Sequence, residues 1–386
     1  MIVNQIYELI NSVSRQAWGA EAASVQDMSG LIALGRSIGV DGNFTAGADK
    51  FLNALVDRIG KTVIRTVDTR LDFPNLMIDG FEFGAILSKI DIQPIAAQQD
   101  NSWNIGENDF SSDYLAVYKP TVSQYLFDTV DTWTCKVTIP DVAFRSAFTS
   151  ESAMASFING IMDALTKSIE SQLNKMSHMA VCNLIAEKKK ASSNYINLVT
   201  MYNTSYSAEL TAEEALINPQ FLKFAGFIIR NYIKYMRDES VKFNTANKVR
   251  ATSRDNMHVM MLSIFADATD TFLSADTYHD EMVKLPLYTE VNYWQNAGTT
   301  ATPTLDELAK VNIVPSSEEG QAEPTAEEVE NVICVLADRQ TIGTTIKDRW
   351  SAADRFNSER RTNYTQGATI GYYNDLSENC VIFTLN

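Results

Sequence analysis

Residues 150–190 read SESAMASFINGIMDALTKSIESQLNKMSHMAVCNLIAEKKK, and this stretch predicts a helix far longer than the usual three or four turns. Ser150 or Ser152 can cap its start, and Glu151 lies where the helix dipole favours negative charge. Apolar residues recur at steps of three and four, which is the period of one helical face. This predicted buried stripe comprises Met154, Phe157, Ile158, Ile161, Leu165, Ile169, Leu173, Met176, Ala180 and Leu184.

Polar residues between the stripe positions predict that the opposite face of this helix meets water. They are Asn159, Asp163, Lys167, Ser171 and Lys175. One buried stripe is therefore favoured over burial all round. The consecutive lysines at 188–190 close the far end of the helix, where the dipole favours positive charge.

The composition bounds what kind of protein this is. The chain has 386 residues, of which 45% are hydrophobic, so it can bury a large core and form two or three domains. It carries 32 Lys and Arg against 48 Asp and Glu, for a formal net charge of −16. Such an acidic chain is repelled by nucleic acid, which disfavours a DNA-binding role.

The cysteines and the hydropathy pattern favour an intracellular setting. The four cysteines lie far apart in sequence and form no CxxC pair, so buried thiols in a reducing compartment are favoured over disulfides. The start of the chain lacks the pattern of a secretory signal, and no apolar run is long enough to cross a membrane. These features predict a soluble protein made in the cytoplasm.

Two strand-like segments precede the long helix. Residues 85–92 form one predicted strand, with Ile90 and Ile92 on one side, and residues 129–139 form the other. We expect them to pair as a long hairpin projection whose tip is the polar segment between them. Because an isolated hairpin is marginal in water, we expect it to lean on another copy of the chain.

The rest of the chain mixes helices and strands without regular alternation, which predicts an α+β fold. Residues 1–60 predict helices separated by loop, and the segment between the long helix and Asn218 predicts irregular structure. Asn218 and Pro219 open a second strong helix. The remaining predicted elements are strands at 257–265, 288–294, 332–336, 368–373 and 380–385, and a helix at 272–282.

Side chains that could carry catalysis are present but do not form a recognisable site, so we predict no catalytic, cofactor-binding or metal residues. His178, His258 and His279 lack ligand spacing, and structural roles are favoured for them. The carboxylate pairs Asp128–Asp131 and Asp267–Asp270 fit strand ends or turns. Asp109 and Asp113 begin like a calcium loop, but the later ligands are missing. Three sequons, at Asn43, Asn203 and Asn363, have no meaning without a secretory route.

The order of elements, together with several stretches, resembles the major capsid proteins of tailed bacteriophages, which have the Hong Kong 97-type fold. The stretches are FLNALVDRIGKTV at 51–63, FEFGAILSKI at 81–90, VLADR at 335–339 and YYNDL at 372–376. The resemblance implies an N-terminal arm at 1–60, and an extended β-hairpin E-loop with flanking P-domain strands at 61–148. It implies a P-domain with its spine helix at 149–205 and a mixed α/β A-domain at 206–330. An acidic surface insertion at about 298–330 and a C-terminal return to the P-domain at 331–386 complete the assignment.

The function that this resemblance implies is structural. The chain is expected to self-assemble, as hexamers and pentamers, into the icosahedral or prolate head of a tailed bacteriophage around its double-stranded DNA. The implied partners are portal, scaffolding and possible decoration proteins, and the packaged DNA without sequence-specific contacts. Two alternatives remain open from the sequence: the shell of an encapsulin-like nanocompartment, and a phage tail or baseplate protein. A soluble hydrolase is disfavoured because no convergent titratable groups can be identified.

Overall fold

The computed structural model describes most of the chain and divides it into two compact units. The described residues are 3–19, 24–40, 50–51, 54, 72–76, 87–95, 97, 117, 119–140, 147, 150–276, 288–296, 304–318, 320–356 and 361–386. The first unit is built from Met1–Gly84, Thr129–Ser177 and Thr344–Tyr372. The second unit is built from Ala85–Asp128, His178–Gly343 and Tyr373–Asn386.

Helices α1 (Val3–Trp18) and α2 (Met28–Val40) and a three-stranded antiparallel sheet lie in the first unit. The strand order in this sheet is β10 (Ile342–Phe356), β11 (Arg361–Asn374), β3 (Val130–Pro140). The core of the unit includes Ile10, Leu31, Phe51, Phe73 and Leu173.

The predicted long helix is confirmed as α3, which runs for 40 residues from Glu151 to Lys190. Ser150 Oγ accepts a hydrogen bond from the backbone N–H of Ala153, as an N-cap does. Of the predicted stripe, Met154, Ile161, Ile169, Leu173, Met176, Ala180 and Leu184 are buried, while the side chains of Ile158 and Leu165 lie outside the described residues.

The prediction of a single buried stripe holds only for the first part of α3. Lys167, Ser171 and Lys175 are exposed, as expected. From Ala180 to Lys188, however, every side chain is buried. Lys188 is one of them, with its Nζ lacking a hydrogen-bond partner among the described residues, and burial lowers its pKa. The sequence did not predict this burial, because residues 180–188 include the polar residues Asn183, Glu187 and Lys188. The fold of the second unit nevertheless encloses them.

We expect Leu173→Ala to destabilise the unassembled subunit by about 2–5 kcal/mol, because it leaves a cavity in a well-packed core. Leu173 is only 1% exposed. Lys175→Ala, two residues away on the exposed face, is the matched control, and it should change the free energy of unfolding by no more than about 0.5 kcal/mol. Urea unfolding of both variants measures the difference, and equal effects would contradict the buried-stripe assignment.

A five-stranded mixed sheet forms the centre of the second unit. Its strand order is β4 (Tyr195–Asn197), β12 (Cys380–Thr384), β9 (Val332–Asp338), β5 (Met257–Leu262), β6 (Thr289–Val291). Strand β9 is buried along its whole length, as its apolar run predicts. The α+β class is thus confirmed.

Four helices contribute to the core on this sheet: α4 (Leu198–Tyr206), α5 (Ala212–Ile217), α6 (Pro219–Tyr235) and α7 (Ser263–Asp276). The prediction of irregular structure before Asn218 was wrong, because its polar residues are helix caps. Asn197 caps α4, and Thr211 with Glu214 forms a capping box on α5. Asn218 caps α6 with Pro219 at the first helical position, as predicted.

Two further boundaries differ from the sequence predictions. The strand expected at 257–265 ends at Leu262, and α7 begins at once at Ser263 and runs to Asp276. It includes residues 272–276 of the helix predicted for 272–282, and residues 277–282 lie outside the described residues. The segment 304–330 is also more than exposed loop. It forms α8 (Leu305–Leu308) and the antiparallel strands β7 (Val311–Ile313) and β8 (Glu327–Val329), with Val311 and Val329 buried.

Candidate assembly interface

A short hairpin in the second unit is the strongest candidate for a contact surface. Strand β1 (Leu87–Ile92) pairs antiparallel with β2 (Val122–Phe127), so that Ile92 lies opposite Val122 and Leu87 opposite Phe127. Most of the segment between the strands, including the tip, lies outside the described residues.

The hairpin corrects the sequence prediction of strand pairing. Residues 129–139 do not pair with 85–92, because they form β3, which pairs along its whole length with β11. Thr132 Oγ1 and Thr369 Oγ1 lie 3.2 Å apart across that pair. The 11 residues of β3 can all pair with the 14-residue β11, whereas β1 offers only 6 residues for backbone hydrogen bonds. Residues 122–127 read VSQYLF, and the strand-favouring Val, Tyr and Phe were the signal that could have revealed the true partner.

One face of the hairpin is apolar and exposed. The exposed fractions are 65% for Ile90, 61% for Ile92, 55% for Val122 and 62% for Leu126. Only the hydrogen-bonded pair Ser88 and Gln124 adds polar groups to this face. Large apolar side chains clustered on an exposed strand pair are typical of an interaction surface.

The opposite face carries the charged residues Lys89, which is half-buried, and Asp91, which is buried. Lys89 contacts the carboxylates of Asp375 and Glu378, which lie in the segment that links β11 to β12. Asp91, whose side chain is 1% exposed, binds Lys248 and Arg250, with its Oδ1 2.8 Å from an Arg250 guanidinium nitrogen. The hairpin therefore contacts the rest of its unit through ion pairs.

Other side chains of the inner face extend this contact. Gln93 Oε1 accepts a hydrogen bond from the backbone N–H of Val249. The Lys248 ammonium lies 4.6 Å from the centre of the Tyr125 ring, a cation–π contact. The rings of Phe127 and Tyr373 pack with centroids 4.8 Å apart. These contacts hold both strands against the same surface.

The electrostatics of the cluster follow from burial and pairing. Burial by itself raises the pKa of Asp91, but Lys248, Arg250 and Gln93 together hold that pKa below its usual value. At Glu378 burial dominates over Lys89 and Arg250, so its pKa is raised. Burial and nearby acids raise the pKa of Tyr373 to about 12.

The hairpin thus reverses the usual arrangement, since its charged side chains face its own unit and its exposed face is mostly aliphatic. A buried ion-pair cluster contributes little net stability compared with apolar packing, but its geometry is specific. We infer that the cluster fixes how the hairpin is held and leaves its apolar face available for another surface.

The histidines singled out from the sequence occupy separate places. His178 is buried on α3, with its Nδ1 2.9 Å from the carbonyl oxygen of Trp294 and its ring stacked on Tyr293. His258 is half-buried on β5, and burial lowers its pKa. His279 lies outside the described residues.

The carboxylates and cysteines do not converge on a site either. Asp128 and Asp131 flank the β2–β3 turn, whereas Asp267 and Asp270 lie exposed on α7 rather than at a strand end or turn. Asp109 and Asp113 lie outside the described residues. Within the described ranges, no group of three or more His, Cys, Asp or Glu is placed to hold a metal ion. All four cysteines are free thiols.

A comparison with protein families gives a match over nearly the whole chain. The model of the Phi29-like phage major capsid proteins matches residues 33–384. No curated protein matches the chain by sequence.

Solved structures with the same fold come from phage particles. A chain from the capsid of Staphylococcus phage Andhra aligns with a TM-score of 0.53 at 11% identity, covering 82% of this chain and 84% of that one. A chain of native bacteriophage P68, from a structure of its head fiber and inner core protein gp22, aligns with a TM-score of 0.52 at 9% identity. That match covers 83% of this chain and 86% of the P68 chain. At these identities the likeness concerns the fold alone.

Proposed function

This chain belongs to the Phi29-like phage major capsid proteins, and from that membership we propose how its parts build a shell. It has the Hong Kong 97-type capsid fold, and its function is structural, as the shell subunit of a phage capsid. The finer assignments below extend this conclusion.

The shell is closed, icosahedral or prolate, and is made of hexamers and pentamers around double-stranded DNA. The net charge of −16 supports this proposal, because an acidic wall does not bind the packed genome tightly. The DNA is therefore enclosed without sequence-specific contacts.

The observation that carries the assembly proposal is the exposed apolar face of the β1–β2 hairpin. In a shell every copy is surrounded by identical copies, so a second copy of this chain is the occupant for that face. Covering Ile90, Ile92, Val122 and Leu126 removes apolar surface from water, which favours association by roughly 25 cal/mol per Å². The hairpin is accordingly the E-loop.

The domain assignment is likewise a proposal. The first unit, with the N-terminal segment and the sheet β10–β11–β3, supports the arm and P-domain assignments. Within the second unit, strands β5 and β6 and helices α5–α8 lie in 206–330 and support an A-domain there, whereas β4, β9 and β12 of the same sheet lie outside that range. Helix α3 is the spine helix.

The remaining proposals concern partners and place. Portal, scaffolding and possible decoration proteins complete the head, and the subunit is made in the cytoplasm of the bacterial host before it enters the virion. The protein acts without catalysis or a cofactor. No helix in the described part of the chain is long and apolar enough to cross a membrane.

The alternatives differ in what they predict. An encapsulin-like shell would have a cargo-loading gene beside it, and a tail or baseplate protein would form tubes or rings. The match to a major capsid protein family favours the phage head over both.

Expression of the full chain, alone and with the scaffolding protein encoded beside it, tests the proposal. Negative-stain microscopy and light scattering should show closed particles or rings of capsomer size. A monodisperse monomer at all salt concentrations, with the scaffolding protein present, would overturn it.

A further inference from the structure

A stripe of basic and aromatic residues runs along the outer face of helix α6. It consists of Lys223, Phe227, Arg230 and Lys234, at steps of four, three and four, opposite the buried residues Phe221, Ala225 and Ile229. We call these four residues the α6 stripe. The helix contains no acidic residue, although the chain as a whole carries a net charge of −16.

Three residues of the α6 stripe are exposed in the subunit, and Arg230 is half-buried. Phe227 is 61% exposed in the middle of the helix, and Lys223 and Lys234 are also exposed. Exposure of a large aromatic side chain to water is unfavourable. A partner surface that is acidic and partly apolar would cover the ring and pair with the cations beside it.

The chain itself carries a surface of that chemistry. Residues 305–330 contain eight Asp and Glu against Lys310 alone. Within them, Gly320–Ala326 is exposed throughout and alternates small apolar residues with polar ones. Its sequence is GQAEPTA, followed by Glu327 and Glu328. We call residues 320–328 the acidic loop.

The acidic loop is held by well-defined contacts at its base. Its last two residues, Glu327 and Glu328, belong to β8, which pairs antiparallel with β7. Glu318 pairs with Lys190 of α3, and its other carboxylate oxygen accepts a hydrogen bond from the backbone N–H of Thr325. Glu187 accepts a hydrogen bond from the backbone N–H of Ser317. The loop therefore needs little further ordering when it binds a partner.

The two surfaces are separate in the subunit. The α6 stripe is about 17 Å long, from eleven helical steps of about 1.5 Å. Because Phe227 and Gly320–Ala326 are all exposed in the subunit, neither surface covers the other within one copy.

We propose that the α6 stripe of one subunit binds the acidic loop of a neighbouring subunit in the shell. Phe227 covers Ala322 and Pro324, and the flanking cations face Glu323 and Glu327. This inference rests on the proposed function, since it requires that copies of the chain assemble. It gives the acidic insertion a role as an intersubunit contact that selects the partner by charge.

Charge reversal tests the proposal in the full chain. The stripe variant is Lys223→Glu with Lys234→Glu, and the loop variant is Glu323→Lys with Glu327→Lys. Each should raise the concentration needed for assembly by at least about tenfold, because like charges then face each other. The chain that carries all four substitutions should recover assembly, since the charges are complementary again. The matched control for the stripe variant is Lys242→Glu with Arg254→Glu, two exposed basic residues of the same unit, and it should assemble like the native chain.

A second measurement uses the native sequence alone. Carbodiimide crosslinking with mass spectrometry should join Lys223 or Lys234 to Glu323, Glu327 or Glu328 in assembled particles but not in unassembled subunits. This measurement does not depend on the folding of any variant, because it uses the native chain. The melting temperature of each unassembled variant shows whether that variant is folded.

The outcomes separate the possibilities. Normal assembly of the stripe and loop variants, or no recovery by the four-fold variant when all chains are folded, overturns the proposal. Absence of the crosslinks in particles does the same. If the stripe variant forms normal particles that retain less DNA than native particles do, the α6 stripe binds nucleic acid instead. Failure of the native chain to assemble would count against the proposed function, which is a different result.

Discussion

A subunit with Ile92→Glu and Val122→Glu should fold normally and fail to close shells. These two residues lie opposite each other on the exposed apolar face of the β1–β2 hairpin. In the free subunit the new carboxylates are solvated, so stability should change little. In the shell they are buried against a neighbouring copy, and burying a carboxylate without a partner costs several kcal/mol. We expect the yield of closed particles to fall at least about a hundredfold, because every subunit of the shell would bury the same unpaired carboxylates.

The matched control for this variant exchanges the two side chains, with Ile92→Val and Val122→Ile. The exchange conserves volume and apolar character across the pair, so it should assemble close to the native yield. Sedimentation velocity separates particles from subunits, and circular dichroism checks folding. Normal particles from the glutamate variant would show that this face of the hairpin stays in water, and the E-loop assignment would lose its support.

The second large effect concerns the charged face of the same hairpin. We expect Asp91→Ala to destabilise the unassembled subunit by about 3–5 kcal/mol, because it removes a buried carboxylate and leaves the half-buried Lys248 and Arg250 without it. Asp128→Ala, at an exposed carboxylate just after β2, should cost no more than about 0.5 kcal/mol. Urea unfolding measures both. Equal losses would mean that Asp91 is not held by a buried ion pair.

The effect of Asp91 should also depend on pH. Its folded pKa lies below the ordinary aspartate value of 3.8, so the unfolded chain binds the proton more tightly. The stabilisation is therefore fully present above pH 3.8 and is lost as the pH falls through the folded pKa. The difference between the native chain and Asp91→Ala should accordingly shrink in strongly acidic solution. Glu378 has the opposite effect on stability, because burial raises its folded pKa. Its contribution is present at low pH and is lost as the pH rises through the folded pKa.

Elements defined by near neighbours in sequence were predictable. The period of residues 150–190 predicted the long helix α3, because residues three and four apart share a helical face whatever surrounds the helix. Asn218 and Pro219 identified the start of α6 through capping chemistry that spans three residues. The apolar run at 332–336 gave the buried strand β9. Such signals involve contacts over a few residues, so the sequence determines them directly.

Only the tertiary structure decided which strands pair and which faces are covered. Strand β3 pairs with β11, more than 200 residues away, rather than with the nearer β1. The irregular segment before Asn218 turned out to be helical because its polar residues serve as caps once Leu198, Val199 and Tyr202 are buried.

The charged base of the hairpin depends on the same long-range organisation. Lys89 and Asp91 meet partners about 290 and 160 residues further along the chain, at distances that only the completed fold brings together. Periodicity places Lys89 and Asp91 on one face and Ile90 and Ile92 on the other, but it does not say which face is buried. The fold decides in favour of the charged face, because Lys248, Arg250, Asp375 and Glu378 neutralise it there. The apolar face is thereby left exposed in the subunit.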